Sequence, residues 1–407
     1  MSLNLRHLQI FREVARTQSI SGAARSVHIS QPAVTQAIGT LERHFGVPLL
    51  LRSHSGVTLT PSGTICAQRT ERAIGQLVDA IAELPRSQRT RLGSDSARLI
   101  RATHLEALNG VVRHRNFSLA ARALQKSQPT VHRSARELER LLGVPLFEKT
   151  SFGIVPTRDA EKLARRARLA LSELAQAHAE IQSLAGAAGG HCVIGAMPLA
   201  RSFLVPRALI DFAAEFPEHH VSIIEGTYEH LLSELRAGAA DVLVGALRDD
   251  SQLGDVTQKH LFDDPLAIIV RAGHPLSQRT RLSASALTKY SWIAPRAGSP
   301  LRKHFQELFE SAGVAVPRGQ IECNSLVAAR ALLMESDRIM LLSARQIHYE
   351  LQAGMLVTLP HPAGTVLRQI GMTWRRDWHP TNAQRRLIEL LEQHSRNSVP
   401  KPRKSRQ

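Results

Sequence analysis

The feature that most constrains this chain is an internal repeat at a fixed spacing. A shift of 97 positions without a gap places His7-Leu8 on His104-Leu105. The same shift aligns four further pairs of runs: Ala23-Ala24-Arg25 with Ala120-Ala121-Arg122, Ser30-Gln31-Pro32 with Ser127-Gln128-Pro129, Leu41-Glu42-Arg43 with Leu138-Glu139-Arg140, and Gly46-Val47-Pro48-Leu49 with Gly143-Val144-Pro145-Leu146. Because such self-similarity marks one supersecondary unit used twice, the chain is expected to build the same small fold twice.

Each copy predicts three helices joined by short turns and followed by a β-ribbon. In the first copy Ser30 is a natural N-cap, and Pro32 is tolerated in the first turn because its missing N–H would have no partner there. Gly46 then suits the left-handed end of that helix. Apolar residues recur at helical spacing and predict the same buried face in both copies, as Val34, Ile38, Leu41 and Phe45 and as Val131, Ala135, Leu138 and Leu142.

The opposite face of each third helix carries the candidate DNA contacts, since polar and small side chains suit the edges and backbone of a major groove. On the first copy, with Arg52 of the ribbon reaching a phosphate, these are Ser30, Gln31, Pro32, Ala33, Thr35, Gln36 and Arg43. On the second and more basic copy, with Lys149 on the ribbon, they are Ser127, Gln128, Pro129, Thr130, His132, Arg133 and Arg136. For either copy alone, an ordinary three-helix unit with a solvated polar face is the alternative.

Both segments resemble the N-terminal winged helix-turn-helix of the LysR-type transcriptional regulators. The first copy carries the motif as Ser21-x-Ala23-Ala24, Ser30 to Val34, Leu41-Glu42, Gly46 to Leu49 and Gly56-x-x-Leu59-Thr60-x-x-Gly63. The second copy departs from it: His132 replaces a small hydroxyl residue, and Pro156 and Ala160 stand at the positions of Leu59 and Gly63. We therefore expect a damaged wing in the second copy. Members of the family normally carry one DNA-binding helix-turn-helix, which we call a reader. Whether both copies of this chain bind DNA therefore stays open.

A candidate long helix follows each copy, at residues 63–84 and 159–184. In the family this linker helix pairs two subunits, so the resemblance implies a homo-dimer or homo-tetramer. Paired readers then address pseudo-symmetric half-sites spaced by one or two turns of DNA. Segments 85–97 and 186–190, rich in Arg, Ser, Gly or Ala, predict a flexible join and a hinge.

From His191 onward, short β-rich runs alternate with helical ones, which predicts a parallel α/β sheet in two lobes. The predicted strands are 192–196, 221–225, 241–246 and 267–270 in one group and 292–294, 319–323, 338–342 and 356–359 in the other. Ligands collect beyond the carboxyl ends of such strands, where helix N-termini offer free N–H groups. The expected ligand site is Met197, Pro198, Leu199, Ala246, Arg296, Gly298, Ser299, Pro300, Asn324 and Ser325. Arg296 or Arg302 would supply charge to a carboxylate, and plain helix capping is the alternative at each junction.

This half resembles the periplasmic-binding-protein-like effector domain of the same family. The resemblance is carried by Phe262-Asp-Asp-Pro265, Arg271 to Leu276, Pro295 to Pro300 and Ile321 to Ser325. These segments are most similar to the subgroup of galactose-binding-protein regulators. The resemblance implies control by a small-molecule effector, an organic acid or a sugar-derived metabolite.

Charge and composition indicate the partner class. The chain has 52 Lys and Arg against 35 Asp and Glu, a formal net charge of +17 that attracts nucleic acid. Its aromatic content of 4% argues against stacking on single strands, so double-stranded DNA is the expected partner. Cys66, Cys192 and Cys323 lie far apart and predict buried thiols rather than disulfides. We expect a cytoplasmic protein without a membrane partner, because neither a secretory signal nor a long apolar run is present.

Enzymes form the rival class, but the chain lacks a P-loop, a GxGxxG after a strand, an HExxH and a GxSxG elbow. We therefore predict no catalytic residues, no metal ligands and no cofactor. A nucleoid-type protein that binds DNA without sequence preference would not need the two-lobed domain. A solute-binding protein would need an export signal and would not need the readers.

The sequence thus predicts a multidomain chain, with two mainly α winged helix-turn-helix domains followed by a two-lobed α/β domain. The expected function is sequence-specific DNA binding in transcription regulation, with RNA polymerase as a candidate further partner. The predicted boundaries are 1–62 and 98–158 for the readers, 63–97 and 159–188 for the linkers, 189–395 for the effector-binding domain and 396–407 for a solvated basic tail.

Overall fold

The protein is described by a computed structural model that covers residues 4–53, 56–85, 99–151, 153–184, 189–248, 253–318 and 320–396. The chain divides into two compact units. The first contains Met1–Cys192, Glu218–Val221 and Arg236–Ala240, and the second contains Val193–Pro217, Ser222–Leu235 and Asp241–Gln407. Most of the predicted join at 85–97, most of the hinge at 186–190, and the tail from 397 onward lie outside the described residues.

The first unit contains the repeat as two sets of three helices and a ribbon, each followed by a long helix. The first copy consists of α1 (Leu5–Thr17), α2 (Ile20–Ser26), α3 (Gln31–Phe45), β1 (Leu50–Ser53) and β2 (Gly56–Leu59), followed by α4 (Pro61–Ala82). The second consists of α5 (Ala102–His114), α6 (Phe117–Ala123), α7 (Gln128–Leu142), β3 (Phe147–Thr150) and β4 (Gly153–Pro156), followed by α8 (Arg158–Leu184). The predicted stripes from Val34 to Phe45 and from Val131 to Leu142 are buried in one core.

The turns repeat as faithfully as the helices. Gln18 and His28 have positive φ angles of 50° and 53°, and their counterparts 97 positions on, Arg115 and Gln125, have 49° and 52°. Side chains other than glycine rarely adopt this left-handed conformation. Its recurrence at equivalent non-glycine positions shows that the two copies share one backbone path.

The second wing is intact, so the expectation of damage was wrong. β1 and β2 pair from Leu50↔Leu59 to Ser53↔Gly56, and β3 and β4 pair in the same register from Phe147↔Pro156 to Thr150↔Gly153. Pro156 is the last residue of β4 in a two-stranded ribbon, a position where a missing N–H is tolerated. The Ala160 N–H donates to Thr157 Oγ1 at 3.1 Å, as the Gly63 N–H donates to Thr60 Oγ1 at 2.9 Å.

The two long helices pack against each other within the chain. Each contributes buried residues at heptad spacing, Cys66, Thr70, Ala73, Leu77 and Ala80 on α4 and Leu163, Ala167, Ala170, Leu174 and Ala177 on α8. We call this interface between α4 and α8 the seam. The expectation that each linker helix pairs with a second subunit was therefore wrong for the seam. The small alanines let the helices approach closely, and each apolar stripe is covered by the other helix of the same polypeptide.

A buried cation crosses this seam. The Arg69 side chain is only 2% exposed, and its Nε lies 2.9 Å from Glu180 Oε2 while its Nη1 lies 2.9 Å from Glu173 Oε2. Burial by itself lowers the pKa of Arg69, but the hydrogen bonds and charges of Glu180 and Glu173 more than offset it, so the pKa is raised. Arg69 is therefore a charged, fully engaged member of the seam.

The second unit is a two-lobed α/β structure, although residues 191–192, 220–221 and 236 at the ends of its elements are grouped with the first unit. In chain order its elements are β5 (His191–Ala196), α9 (Val205–Glu215), β6 (His220–Ile224), α10 (Tyr228–Arg236), β7 (Val242–Ala246), β8 (Val256–Arg271), α11 (Ala284–Leu287), β9 (Trp292–Ala294), α12 (Pro300–Glu310), β10 (Ile321–Glu322), α13 (Leu326–Met334), β11 (Ile339–Ser343), α14 (His348–Gln352), β12 (Leu356–Leu359), β13 (Leu367–Arg375) and α15 (Asn382–Arg396). A π-helical turn precedes α9, and a 3₁₀ turn precedes α14.

The sheet is mixed, which corrects the prediction of a parallel sheet. Its order is β10-β9-β11-β8-β13-β7-β5-β6, with β12 also on β8. β5 pairs with β7 and β9 with β10 and β11 in parallel, but β8 and β13 pair with their neighbours in antiparallel fashion. The alternation of elements predicted the parallel strands of each lobe, but it missed β13 and the full length of β8, the long strand that joins the lobes.

The two long helices of the first unit allow a direct test of the buried cation. Arg69→Met should lower the free energy of unfolding by about 3 kcal/mol, because Glu180 then stays in the seam without its cation and Glu173 keeps only Arg72, at 3.0 Å. The equivalent change Arg166→Met should cost less than about 1 kcal/mol, because the Arg166 side chain is 34% exposed and water screens its ion pair. Hydrogen exchange of the α4 and α8 amides in increasing urea measures both. Equal losses would contradict the special role of Arg69.

Candidate nucleic-acid interface and effector cleft

The third helix of each copy begins with the predicted cap. Ser30 Oγ accepts from the Ala33 N–H at 3.4 Å, and Ser127 Oγ accepts from the Thr130 N–H at 3.4 Å. Ser127 Oγ also lies 2.7 Å from Thr130 Oγ1, which ties the threonine to the cap in the second copy only. Both caps satisfy a free N–H of the first turn and fix where the exposed face of the helix starts.

The candidate contacts of the first copy form one outward face of α3. Gln31, Pro32, Thr35, Gln36 and Arg43 are exposed, while Ala33 is half-buried. Arg43 lies along the helix, with Nε 3.2 Å from Gly39 O and Nη2 3.2 Å from Thr40 Oγ1. The face therefore offers amide and hydroxyl groups with a single cation at its far end, a combination suited to reading base edges.

The equivalent face of α7 is more cationic, but one of its charges is engaged within the protein. Gln128, Pro129, Thr130, His132 and Arg133 are exposed. Arg136 Nη1 lies 2.6 Å from Glu139 Oε2, so its charge is partly neutralised. The His132 ring packs edge-on against Phe117, with the ring centroids 5.0 Å apart. Arg133 is therefore the strongest candidate on this face for a cationic contact with DNA that the first copy lacks.

A glutamate that the sequence reasoning did not assign holds each wing to its helix. Glu42 Oε1 accepts from the N–H groups of Leu49 and Leu50 at 2.9 and 3.3 Å. In the second copy Glu139 Oε1 accepts from Leu146 and Phe147 at 2.8 and 3.1 Å. The repeated Leu-Glu pair was the available signal. The exposed Arg52 and Lys149 lie at equivalent points of the two ribbons, opposite Val57 and Ile154.

The predicted effector residues lie at the carboxyl ends of four strands of the second unit. Met197 and Pro198 follow β5, Ala246 ends β7, Arg296 to Pro300 follow β9, and Asn324 and Ser325 follow β10. Leu199 is buried in the core rather than open to a ligand. Ser299 and Ser325 cap α12 and α13, accepting from the N–H groups of Arg302 and Ala328 at 3.2 and 3.3 Å.

Of the two arginines considered for charge, only Arg296 faces outward. The Arg302 guanidinium bonds to Pro295 O at 3.3 Å and to Gln320 Oε1 at 3.0 Å, and it stacks over the Phe305 ring. Arg296 is exposed on a loop in which Gly298 takes a φ of 76° and the Ala297 N–H donates to Glu322 Oε2 at 3.2 Å. The charge available to a ligand at this junction is therefore that of Arg296.

Three residues that the sequence reasoning missed complete this region: Tyr228, Glu229 and Arg248. The Arg248 guanidinium lies 4.6 Å from the centre of the Tyr228 ring. A backbone hydrogen bond at the start of α10 is the main cause that lowers the pKa of Glu229, and the charges of Arg248 and Arg296 lower it further. Arg296 follows β9 and therefore belongs to the other lobe. Thr227, which caps α10 after β6, was the signal that could have identified this corner.

The neighbours of Arg248 only partly offset the cost of burying its positive charge. Burial lowers the pKa of Arg248, and the neighbouring Glu229 and Tyr228 raise it by less. Its backbone is fixed because its N–H and its carbonyl both bond to the side-chain amide of Gln258, at 3.2 and 2.8 Å. An anion entering this cleft would therefore meet a positioned and partly dehydrated guanidinium.

A buried carboxylate lies where β8 passes from one lobe to the other. Asp264 is fully buried, accepting from Ser343 Oγ at 2.7 Å and from Arg368 Nη2 at 2.6 Å. These partners come from β11 and β13. Asp264 thus ties β8, β11 and β13 together at the crossing.

Neither metal nor membrane chemistry is indicated by the described residues. In that part of the chain no group of three His, Cys, Asp or Glu side chains is placed to hold a metal ion. None of the described helices combines the length and apolarity of a membrane span. Cys66 and Cys192 are buried and Cys323 is half-buried, and burial raises the pKa of the Cys66 thiol to about 12.

Both units contain segments that match known protein families. Residues 5–64 and 102–161 each match the bacterial regulatory helix-turn-helix proteins of the lysR family, and residues 185–396 match the LysR substrate binding domain. The chain is 32% identical over 372 residues to the HTH-type transcriptional regulator GalR of Pseudomonas putida, covering 91% of this chain and 92% of that protein. It is 30% identical over 294 residues to the regulator PcaQ of Agrobacterium fabrum, covering 72% and 94%.

Solved structures share the fold. A full-length OxyR variant from Pseudomonas aeruginosa matches with a TM-score of 0.54 and 24% identity, over 73% of this chain and 95% of that one. Full-length CbnR complexed with target DNA, a LysR family regulator, matches with a TM-score of 0.51 and 18% identity, over 72% and 100%. These likenesses establish the architecture of a helix-turn-helix part and a two-lobed part.

The wing anchors give a prediction with an internal control. Glu139→Ala leaves the buried N–H groups of Leu146 and Phe147 without their acceptor and should destabilise the second wing by about 2 kcal/mol. Hydrogen exchange at these two amides should then accelerate, while Leu49 and Leu50 of the unchanged first copy keep their rates. Glu42→Ala should reverse the pattern. Acceleration in both copies from one substitution would show that the two wings are not held independently.

Proposed function

Because this chain belongs to the LysR family of bacterial regulatory helix-turn-helix proteins, we propose that it is a sequence-specific DNA-binding transcription regulator controlled by a small-molecule effector. One observation carries this proposal. Each third helix presents an exposed polar face that starts at a Ser-Gln-Pro cap, and a glutamate of that helix hydrogen-bonds to a wing that carries an exposed cation. Such a helix fits a major groove, and such a wing fits the neighbouring phosphates.

Both copies are proposed to be winged helix-turn-helix readers of double-stranded DNA. The matched caps, wing anchors and ribbon registers support this assignment. The predicted domain limits, with readers at 1–62 and 98–158 and the effector-binding domain at 189–395, are kept as part of the proposal. The net charge of +17 favours approach to DNA regardless of sequence, so base selection falls to the recognition faces.

The effector is proposed to bind between the lobes at Arg248, Arg296 and the capped N-terminus of α12. The incompletely compensated Arg248 and the outward Arg296 favour a carboxylate, so an organic acid or an acidic sugar-derived metabolite fits best. Met197, Pro198, Ala246, Gly298, Asn324 and Ser325 remain candidate contacts around it. Effector binding then changes lobe or subunit geometry and re-spaces the readers, and linkage requires DNA to change effector affinity by the same factor.

Protein partners complete the proposal. Family membership supports a homo-dimer or a homo-tetramer, with RNA polymerase as a further candidate. The regulatory names of the relatives support a function other than catalysis.

Two substitutions in the first reader should distinguish base contacts from phosphate contacts. Gln31→Ala should change sequence preference while leaving affinity for random DNA nearly unchanged, because its amide is on the recognition face. Arg52→Ala should weaken binding to every sequence and reduce the slope of log affinity against log salt by about 1, because it removes one phosphate contact. Fluorescence anisotropy at several salt concentrations measures both.

The second copy supplies the matched variants, Gln128→Ala and Lys149→Ala. Footprints that each lose a different part of the protected region would support two working readers. A loss confined to the variants of one copy would show that the other copy serves only as structure. Equal loss on selected and random DNA for Gln31→Ala would contradict base readout by that residue.

The effector cleft should distinguish anions from neutral ligands. Calorimetry of the full chain against small carboxylates and neutral sugars should detect binding by a carboxylate. Arg248→Gln should weaken it about tenfold or more, which is the loss of one charged hydrogen bond. The control Arg302→Gln should stay within about threefold, because that guanidinium bonds to the protein itself. Preference for a neutral sugar, with no effect of Arg248→Gln, would overturn the anionic site.

A further inference from the structure

The ion pairs between α4 and α8 obey the same 97-residue shift as the sequence. Arg69 Nε lies 2.9 Å from Glu180 Oε2, and Arg166 Nη2 lies 3.3 Å from Glu83 Oε1. Arg166 is the counterpart of Arg69, and Glu180 is the counterpart of Glu83. Exchanging both partners of one ion pair for their repeat counterparts therefore yields the other ion pair.

A second pair of contacts behaves in the same way. Arg69 Nη1 lies 2.9 Å from Glu173 Oε2, and Arg166 Nη1 lies 2.8 Å from Gln76 Oε1. Glu173 is the counterpart of Gln76. This reciprocity, in which i contacts j and the equivalent of j contacts the equivalent of i, is the property of a twofold interface. The two copies are therefore related by a local twofold axis that passes through the α4–α8 seam.

The seam itself is equally reciprocal. The buried positions Cys66, Thr70, Ala73, Leu77 and Ala80 of α4 correspond one by one to Leu163, Ala167, Ala170, Leu174 and Ala177 of α8. The same surface patch is thus used on both helices, as in a symmetric dimer. Here a single polypeptide supplies both halves of the interface.

The recognition faces break this symmetry. The positions of Thr35, Gln36 and Gly39 on α3 are taken by His132, Arg133 and Arg136 on α7. Neutral hydrogen-bonding groups and cationic groups select different base edges, because arginine prefers the acceptors of guanine while amides pair with adenine. Twofold-related readers with different faces therefore require inverted half-sites of different sequence.

We propose that one polypeptide occupies both halves of its operator, as an internal pseudo-dimer, and that the two halves differ in sequence. The proposal rests on DNA binding by both copies, as proposed above. The α4–α8 seam sets the spacing and relative orientation of the two readers. Each chain then supplies both readers of an operator, and the two readers differ from each other, whatever assembly the chain joins.

Cross-linking tests the pairing without DNA. Gln76→Cys and Arg166→Cys, combined in a Cys323→Ser background that leaves two buried native thiols, place reactive groups on two contacting residues. A short bismaleimide should link them within one chain, which mass spectrometry of the denatured protein shows as one chain plus one linker with both introduced thiols consumed. The matched control is a mixture of chains that carry either substitution alone, which should not cross-link. A product of twice the chain mass from that mixture would overturn the internal pairing.

Selection from a random DNA pool by the full chain tests the operator. The wild type should select an inverted pair of unlike half-sites, whereas Thr35→His combined with Gln36→Arg should select a more symmetric pair, because the first reader then resembles the second. Wild-type selection of a perfect palindrome, or of a single half-site, would overturn the proposal. If the chain cross-links internally but selects no DNA, the DNA-binding function and the proposal of an operator with two unlike halves are both refuted. The twofold arrangement of the seam would still stand.

Discussion

The first unit depends on a guanidinium held in an apolar seam. An unpaired cation at the Arg69 position would be strongly destabilising, so α4 and α8 are restricted to the register that brings Glu173 and Glu180 to it. Heptad stripes rich in alanine would permit several registers by packing alone. The buried ion pairs therefore provide the specificity that the small apolar side chains lack. Through the rigid long helices they also fix how the two sets of three helices are placed.

Much of this unit was predictable because its determinants are local. Ser30 and Ser127 cap helices, and Val34 and Val131 begin buried stripes, in any fold that uses these segments. The partner of each long helix was not predictable, since its apolar stripe has the same periodicity whether a second chain or the same chain covers it. The wing of the second copy was misjudged because Pro156 was weighed as a sequence mismatch rather than as a residue at the end of a ribbon strand.

The second unit shows a different limit. The positions of β9, β11 and β12 follow from short apolar runs, and Trp292 to Ala294 were predicted without error. β13 escaped notice because charged and glycine residues, such as Arg368 and Gly371, interrupt its pattern. Two of its polar side chains have partners inside the fold: Arg368 binds the buried Asp264, and Arg375 Nη1 donates to Leu235 O at 2.8 Å. At the corner formed by Tyr228, Glu229 and Arg248, the cap residue Thr227 was a local signal, but the placement of Arg248 over the Tyr228 ring depends on tertiary packing that no local pattern reveals.

The repeat also changes how such a protein can evolve. In a regulator built from identical subunits, one mutation in the recognition helix alters two contacts with the operator at once, and both half-sites must change to match it. In this chain, a codon change at His132 leaves Thr35 untouched. Under the proposed function, binding to a drifting promoter can therefore be retuned one half-site at a time, with the unchanged reader holding the protein in place during each step. The faces of α3 and α7 have diverged in residue type, while the backbone of the turns, the serine caps and the register of the ribbons are kept, which is the pattern that such stepwise retuning would leave.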